Sequence, residues 1–237
     1  MVHDAPNARA TALSQLLLGE DFHVLDTAAG WAWGYCDHDH YVGYVRQDAL
    51  SASITPTHFV SVREALLFER ADIKSPALMP LSLGARLRGE MEGNFLKTES
   101  GFVHGRHVAP IGRVLDDIVA TSAQLMGAPY LWGGRGADGV DCSGLVQLAL
   151  ALAGMACPRD SDQQRESVGR ELTAEEPLKR GDLVFFPGHV GIMADADTLL
   201  HANAWWMAVT LEPLQDVVNR LSPKHEQPVL ARRRPMP

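Results

Sequence analysis

The sequence predicts an α+β protein in which one or two small β-barrels precede a domain of helices followed by an antiparallel sheet. Three observations predict it. Residues 11 to 50 hold short, aromatic-rich apolar runs broken by turn residues, and residues 51 to 110 repeat that pattern more faintly. From Ile111 the apolar period becomes helical, and past Gly154 it becomes that of strands. Helices first and strands after is the order of an α+β domain. The expected domains are 1–52, 53–110 and 111–237.

In the first barrel, Phe22-His23-Val24-Leu25 reads as a strand, Ala28-Ala29-Gly30 as a turn, and Trp31-Ala32-Trp33-Gly34-Tyr35 as a second strand. Asp37-His38-Asp39-His40 is a polar hairpin tip, and Tyr41 to Val45 a third strand. Strands this short at this spacing suit a small barrel. In the fainter copy, Leu81 to Ala85, Phe95 to Thr98 and Gly101 to His104 take the strand roles. In the rear domain Val114, Leu115, Ile118, Val119, Ser122, Leu125 and Met126 share one helical face, which Gly127 terminates. Cys142, Leu145, Val146, Ala149 and Leu152 mark a second helix closed by Gly154. Strands are expected over 182–186, 189–194, 198–202 and 207–211.

The 237 residues carry 29 acidic against 21 basic side chains, net charge −8, which disfavours a nucleic-acid partner because phosphate binding needs a basic surface. The one basic run, Arg232-Arg233-Arg234, reads as a solvated tail. No apolar run approaches the ~18–20 residues of a membrane helix, so no membrane partner is expected. Met1-Val2-His3-Asp4-Ala5 lacks a basic segment followed by an apolar core, which predicts a cytoplasmic location, or a periplasmic one for a chain truncated at its start. Three cysteines at irregular spacing are no disulfide framework.

One of the cysteines carries the chemistry. Gly133-Gly134-Arg135-Gly136 and Asp138-Gly139-Val140-Asp141 lead into Cys142, which opens a helix. There a thiol meets unpaired backbone N–H groups and the positive end of the helix dipole, both of which favour thiolate. The same N–H groups can stabilise an oxyanion. The bland alternative is a buried cysteine packing as a small hydrophobe, and Cys157 before Pro158 fits that alternative. The glycines are no phosphate loop, since the Lys-Ser/Thr ending is absent.

A cysteine nucleophile needs a base. His189 and His201 flank Ala194-Asp195-Ala196-Asp197; a turn centred on Asp195 sets position 189 directly across from 201, within hydrogen-bond reach. Separate, satisfied histidines are the alternative. Cys36, His38 and His40 alternate as soft-metal ligands could, but they sit at a hairpin tip without a fourth ligand. Neither a metal nor a cofactor is expected.

These residues resemble the NlpC-type family of papain-like bacterial cell-wall cysteine peptidases. The resemblance rests on Pro129-Tyr130-Leu131-Trp132-Gly133-Gly134, Asp141-Cys142-Ser143-Gly144, Pro158-Arg159-Asp160-Ser161, Arg180-Gly181-Asp182-Leu183, Gly188-His189-Val190-Gly191-Ile192 and His201-Ala202, in family order. Trp31-Ala32-Trp33-Gly34 and Tyr41-Val42-Gly43-Tyr44-Val45 resemble the bacterial SH3-like modules that precede such domains. The resemblance implies a papain-like peptidase domain that hydrolyses the bond between γ-D-glutamate and a diamino acid in peptidoglycan stem peptides. It assigns Cys142 as nucleophile, His189 as base and His201 as its orienter. It further implies preference for a free N-terminal L-alanine, with Tyr130, Asp141, Ser143 and Ser161 binding substrate and Tyr41 and Glu20 contributing from the first barrel. Asp141 is the acid for the peptide ammonium, with helix capping as its plainer role. Trp205-Trp206 departs from the small residues expected after His201.

Two other readings stay open at this point. The same scaffold serves amidases and acyltransferases, since Cys-His-His defines acyl transfer and not the acyl group. A wall-binding protein with an inactive rear domain is the third, although it would need the nucleophile or base to be lost.

Overall fold

The computed structural model describes residues Met1–Met236, which divide into two compact units. The first comprises Met1–Arg113 together with Arg135–Asp138; the second comprises Val114–Gly134 and Gly139–Pro237.

Within the first unit, strands β1 (Val2–His3), β2 (Ala12–Ser14), β3 (Phe22–Ala28), β4 (Trp31–Cys36) and β5 (Val42–Arg46) form a five-stranded sheet in the order β2-β1-β5-β4-β3. Val2, Cys36 and Val45 are its buried centre, with Leu16, Phe22, Tyr41 and Leu50 packed against them. The β3–β4 turn works because Ala29 and Gly30 both take left-handed backbone, φ 51° and 81°. Residues beyond it build two further sheets from β6 (His58–Val60), β7 (Glu64–Phe68), β8 (Ala77–Ser82), β9 (Arg86–Leu87), β10 (Gly89–Glu92), β11 (Phe95–Thr98), β12 (Phe102–His104) and β13 (Val108–Pro110). Their orders are β10-β11-β12-β7-β8 and β13-β6-β9, around Val60, Leu67, Leu81, Leu96 and Val103. The expected strand over 81–85 stops at Ser82, because Gly84 turns the chain at φ 86°.

The second unit begins with α1 (Ile118–Ala123), shorter than the expected helix. Asp117 accepts the Val119 and Ala120 N–H groups and so starts the helix four residues later than the apolar face suggested. The two-residue strands β14 (Arg135–Gly136) and β15 (Gly139–Val140) come next in the chain, β14 belonging to the first unit. Then come α2 (Cys142–Leu152), α3 (Ser161–Ser167), β16 (Arg170–Glu171), β17 (Leu183–Phe186), β18 (His189–Met193), β19 (Thr198–Asn203), β20 (Ala208–Pro213), α4 (Leu214–Leu221) and β21 (Ala231–Arg234). The sheet runs β16-β21-β17-β18-β19-β20, and α2 packs against β18 and β19.

The arginine run is a correction. It is no solvated tail: β21 lies inside the sheet, hydrogen-bonded to β16 on one side and β17 on the other. Arg234 grips Asp182 through Nε and Nη2, both at 2.7 Å, and Arg233 donates to the carbonyls of Val168, Arg165 and Gly169. Each guanidinium has acceptors, so three successive charges survive within an ordered strand. Among the described residues no helix is long and apolar enough to cross a membrane.

Candidate active site

The start of α2 is built by one carboxylate. Asp141 Oδ1 accepts the Gly144 N–H at 2.8 Å, the bond of an N-cap, and Oδ2 accepts the Gly133 N–H at 2.7 Å. Arg159 closes on both oxygens, at 2.9 and 2.6 Å, and donates to Ser143 Oγ at 2.8 Å. Ser143 in turn donates to Asp141 Oδ1 at 3.3 Å, and Gln164 of α3 donates to the Ser143 carbonyl. The sequence placed Asp141 as the acid for a substrate ammonium. In the structure its lone pairs are taken by the helix start and its charge is offset by a buried guanidinium, so the capping role is the one on view. Arg159 and Gln164 went unread as partners of this loop.

Cys142 is 5% exposed. Burial pushes its thiol up to about 11, and the Asp141 carboxylate adds to the rise; the N–H groups of Val190 and Ser143 and the Arg159 charge pull the other way without winning. The N–H group of Ser143 at the helix start pulls toward thiolate, the direction expected there. Desolvation is the larger effect, so the net direction is upward.

The base has a geometry. His189 Nε2 and His201 Nδ1 lie 2.8 Å apart. The register that joins them differs from the expected one. β18 and β19 pair Ile192 with Leu200 and Met193 with Leu199, so continuing the ladder puts Gly191, not His189, across from His201. The turn centres one residue later than Asp195, whose carboxylate accepts the N–H groups of Asp197 and Thr198. His189 therefore reaches His201 on the diagonal.

Behind His201 stands a residue the sequence reading missed. His201 Nε2 meets Glu212 Oε1 at 2.8 Å, and Glu212 is gripped by Arg220 of α4. Arg220 in turn lies 4.8 Å from the centre of the Trp205 ring. Burial would raise the Glu212 carboxyl, but hydrogen bonds from Arg220, Trp206 and His201 hold it below its usual range. Burial, with His201 beside it, drives His189 down to about 3, and burial likewise lowers His201 against the pull of Glu212. Both rings are neutral at pH 7.

Tyr130 sits near this loop: burial raises its hydroxyl, and the charges of Cys142 and Asp141 raise it further. Ser161 is the half-buried first residue of α3. The structure thus assembles Cys142, Asp141, Ser143, Tyr130, His189 and His201 within one unit. In the other, Glu20 is committed to a pair with Arg135, at 2.7 and 3.2 Å, and accepts the Leu17 N–H. Tyr41 packs on the first barrel's core. Cys36 is buried there too, His38 lies 3.2 Å from Asp39, and His40 turns its ring toward Tyr35. Among the described residues no three His, Cys, Asp or Glu side chains converge as metal ligands.

Residues 127–220 match the NlpC/P60 family, and residues 2–50 match the bacterial dipeptidyl-peptidase SH3 domain. The chain is 28% identical over 233 residues to a gamma-D-glutamyl-L-lysine dipeptidyl-peptidase of Bacillus subtilis, covering 86% of this chain and 77% of the relative. It is 33% identical over 101 residues to dipeptidyl-peptidase 6 of Lysinibacillus sphaericus, covering 43% of this chain and 37% of that relative. In fold it resembles the crystal structure of an NlpC/P60 family protein from Bacillus cereus, with TM-score 0.79, 23% identity and coverage of 95% and 82%.

Proposed function

We propose, from the match of residues 127–220 to the NlpC/P60 family, that the chain is a cysteine peptidase hydrolysing the γ-D-glutamyl–diamino acid bond of peptidoglycan stem peptides. The observation that carries the reading is a buried thiol at a capped helix start that accepts the Val190 N–H, next in the chain to His189, whose ring is hydrogen-bonded to His201. His189 takes the thiol proton as sulfur attacks the γ-carbonyl carbon. Backbone N–H groups at the start of α2 face the oxyanion. Collapse breaks the C–N bond, the diamino acid's amine leaves with the proton from His189, and water then frees the glutamyl carboxylate from the sulfur.

The likeness to dipeptidyl-peptidases supports a finer reading, in which the substrate begins with a free L-alanine two residues before the cut. Asp141 and Glu20 each face a guanidinium, so either would have to share its carboxylate to receive the ammonium. Mass spectrometry of products from L-Ala-γ-D-Glu-diaminopimelate and its lysine counterpart, with free and acetylated amines, tests both levels. Cleavage after D-glutamate is the expected result. Loss of an acyl group elsewhere would favour an amidase, and absence of turnover a binding protein.

A further inference from the structure

The histidine pair does not by itself say which nitrogen carries which proton. An imidazole bonded only to another imidazole can hold its hydrogen at either end. Glu212 removes that freedom. It is nearly buried on β20 and accepts from His201 Nε2, from Arg220 and from the Trp206 indole.

We propose that Glu212 is a positioning residue for the thiol, holding the proton of His201 on Nε2 and thereby that of His189 on Nε2. The inference rests on Cys142 as nucleophile and deepens that reading. A carboxylate only accepts, so His201 Nε2 must be the donor to it. Neutral His201 then has a bare Nδ1, which can only accept from His189 Nε2 at 2.8 Å. Neutral His189 is left with a bare Nδ1, the lone pair that receives the thiol proton. The opposite arrangement, with His201 donating from Nδ1, would place a hydrogen on His189 Nδ1 and leave no base.

Glu212 also answers the charge that forms. When the proton moves from sulfur to His189 Nδ1, the imidazolium keeps its Nε2–H on His201, and the carboxylate offsets the cation through one ring. No proton passes to Glu212. The charged groups that act on the pair are Glu212 of β20 and Arg220 of α4, while Asp141 and Arg159 act on Cys142 at the start of α2. Arg220 opposes the cation but keeps Glu212 ionised. Trp205 and Trp206, unexplained from the sequence, act here as braces, one under the Arg220 guanidinium and one on the carboxylate.

Iodoacetamide alkylation of Cys142 in the full chain, followed from pH 5 to 10.5, tests the proposal without any peptide substrate. The native chain should react at neutral pH through the minor thiolate–imidazolium form, and faster once the thiol ionises by itself. Glu212→Gln keeps the shape and loses the charge. It should lower the neutral rate about tenfold, one pKa unit of imidazolium stability, while the rate at pH 10.5 stays within twofold. An unchanged neutral rate, or an equal change at every pH, would overturn the assignment. Should the variant fold poorly, ¹⁵N spectra of the native imidazoles decide: protons on Nε2 of both rings support it, and a proton on His201 Nδ1 refutes it. Because neither measurement uses a peptide, failure to cleave γ-D-glutamyl substrates would fault the proposed function and leave this test standing.

Discussion

Across from Gly191 in the extended β18–β19 register lies His201, which His189 bonds on the diagonal; the space beside the glycine is filled by Leu199. A Cβ at that position would fall 2.7 to 2.9 Å from the buried Leu199 side chain. Gly191→Ala should therefore lose about 1–3 kcal/mol of stability by overpacking. Activity should fall in step with the folded fraction, since the side chain that must move is Leu199. Thermal unfolding together with kcat/KM measures both parts.

Removing the thiol separates the three cysteines. Cys142→Ala should abolish turnover and Cys157→Ser should largely keep it. Cys36 is fully buried, and burial with the nearby Asp39 carboxylate pushes its thiol up to about 12, so iodoacetamide should spare it in the folded chain. Peptide mapping after brief alkylation at pH 7 should find the label on Cys142, assisted by its histidine; label on Cys36 would contradict the assignment.

The Asp141–Arg159 pair is buried on both sides, with side-chain exposures of 7% and 1%. Breaking such a pair leaves an uncompensated charge, at a cost of about 3–5 kcal/mol. Arg159→Met should accordingly be severely destabilised. Asp141→Asn should suffer too, although asparagine caps helices well, because Arg159 would lose its partner. Arg159→Lys should recover only part, since one ammonium cannot span two oxygens. Urea midpoints of the three variants rank these effects.

Acid should weaken the fold before most carboxylates titrate. His189 falls from an ordinary 6.5 to about 3 and His201 is lowered as well. Between those values the unfolded chain binds protons that the folded chain refuses, so stability is full above about pH 6.5 and drains as pH falls toward 3. Urea midpoints at pH 7.5 and 5.5 should differ in that direction, and His189→Gln should shrink the difference.

What was legible in the sequence was local. The alternation in Trp31–Tyr35 and Tyr41–Val45 is the alternation of β4 and β5, and Asp141-Cys142-Ser143-Gly144 holds both the cap and the first turn of α2. What escaped depends on partners far along the chain. Arg159 meets Asp141 across 18 residues that include the whole of α2, and Glu212 meets His201 only because β20 pairs beside β19. No periodicity marks either. The His189–His201 bond was foreseen with the wrong register, since the Asp195 turn adds a residue that composition alone does not count. Arg232–Arg234 read as solvent-facing because charge was judged without its acceptors.

The position of β21 has a bearing on how the nucleophile-bearing unit is made. β17 gains β18 at once through a short hairpin, but its other edge is filled by residues 231–234. During synthesis that edge stays bare while roughly 50 further residues are added, on the order of 2–10 s at ~5–20 residues per second. Leu183-Val184-Phe185-Phe186 is fully apolar and invites pairing with any nascent neighbour. Arg232-Arg233-Arg234 therefore arrives as a latch, covering the β17 edge with a strand that β16 pairs on its other side.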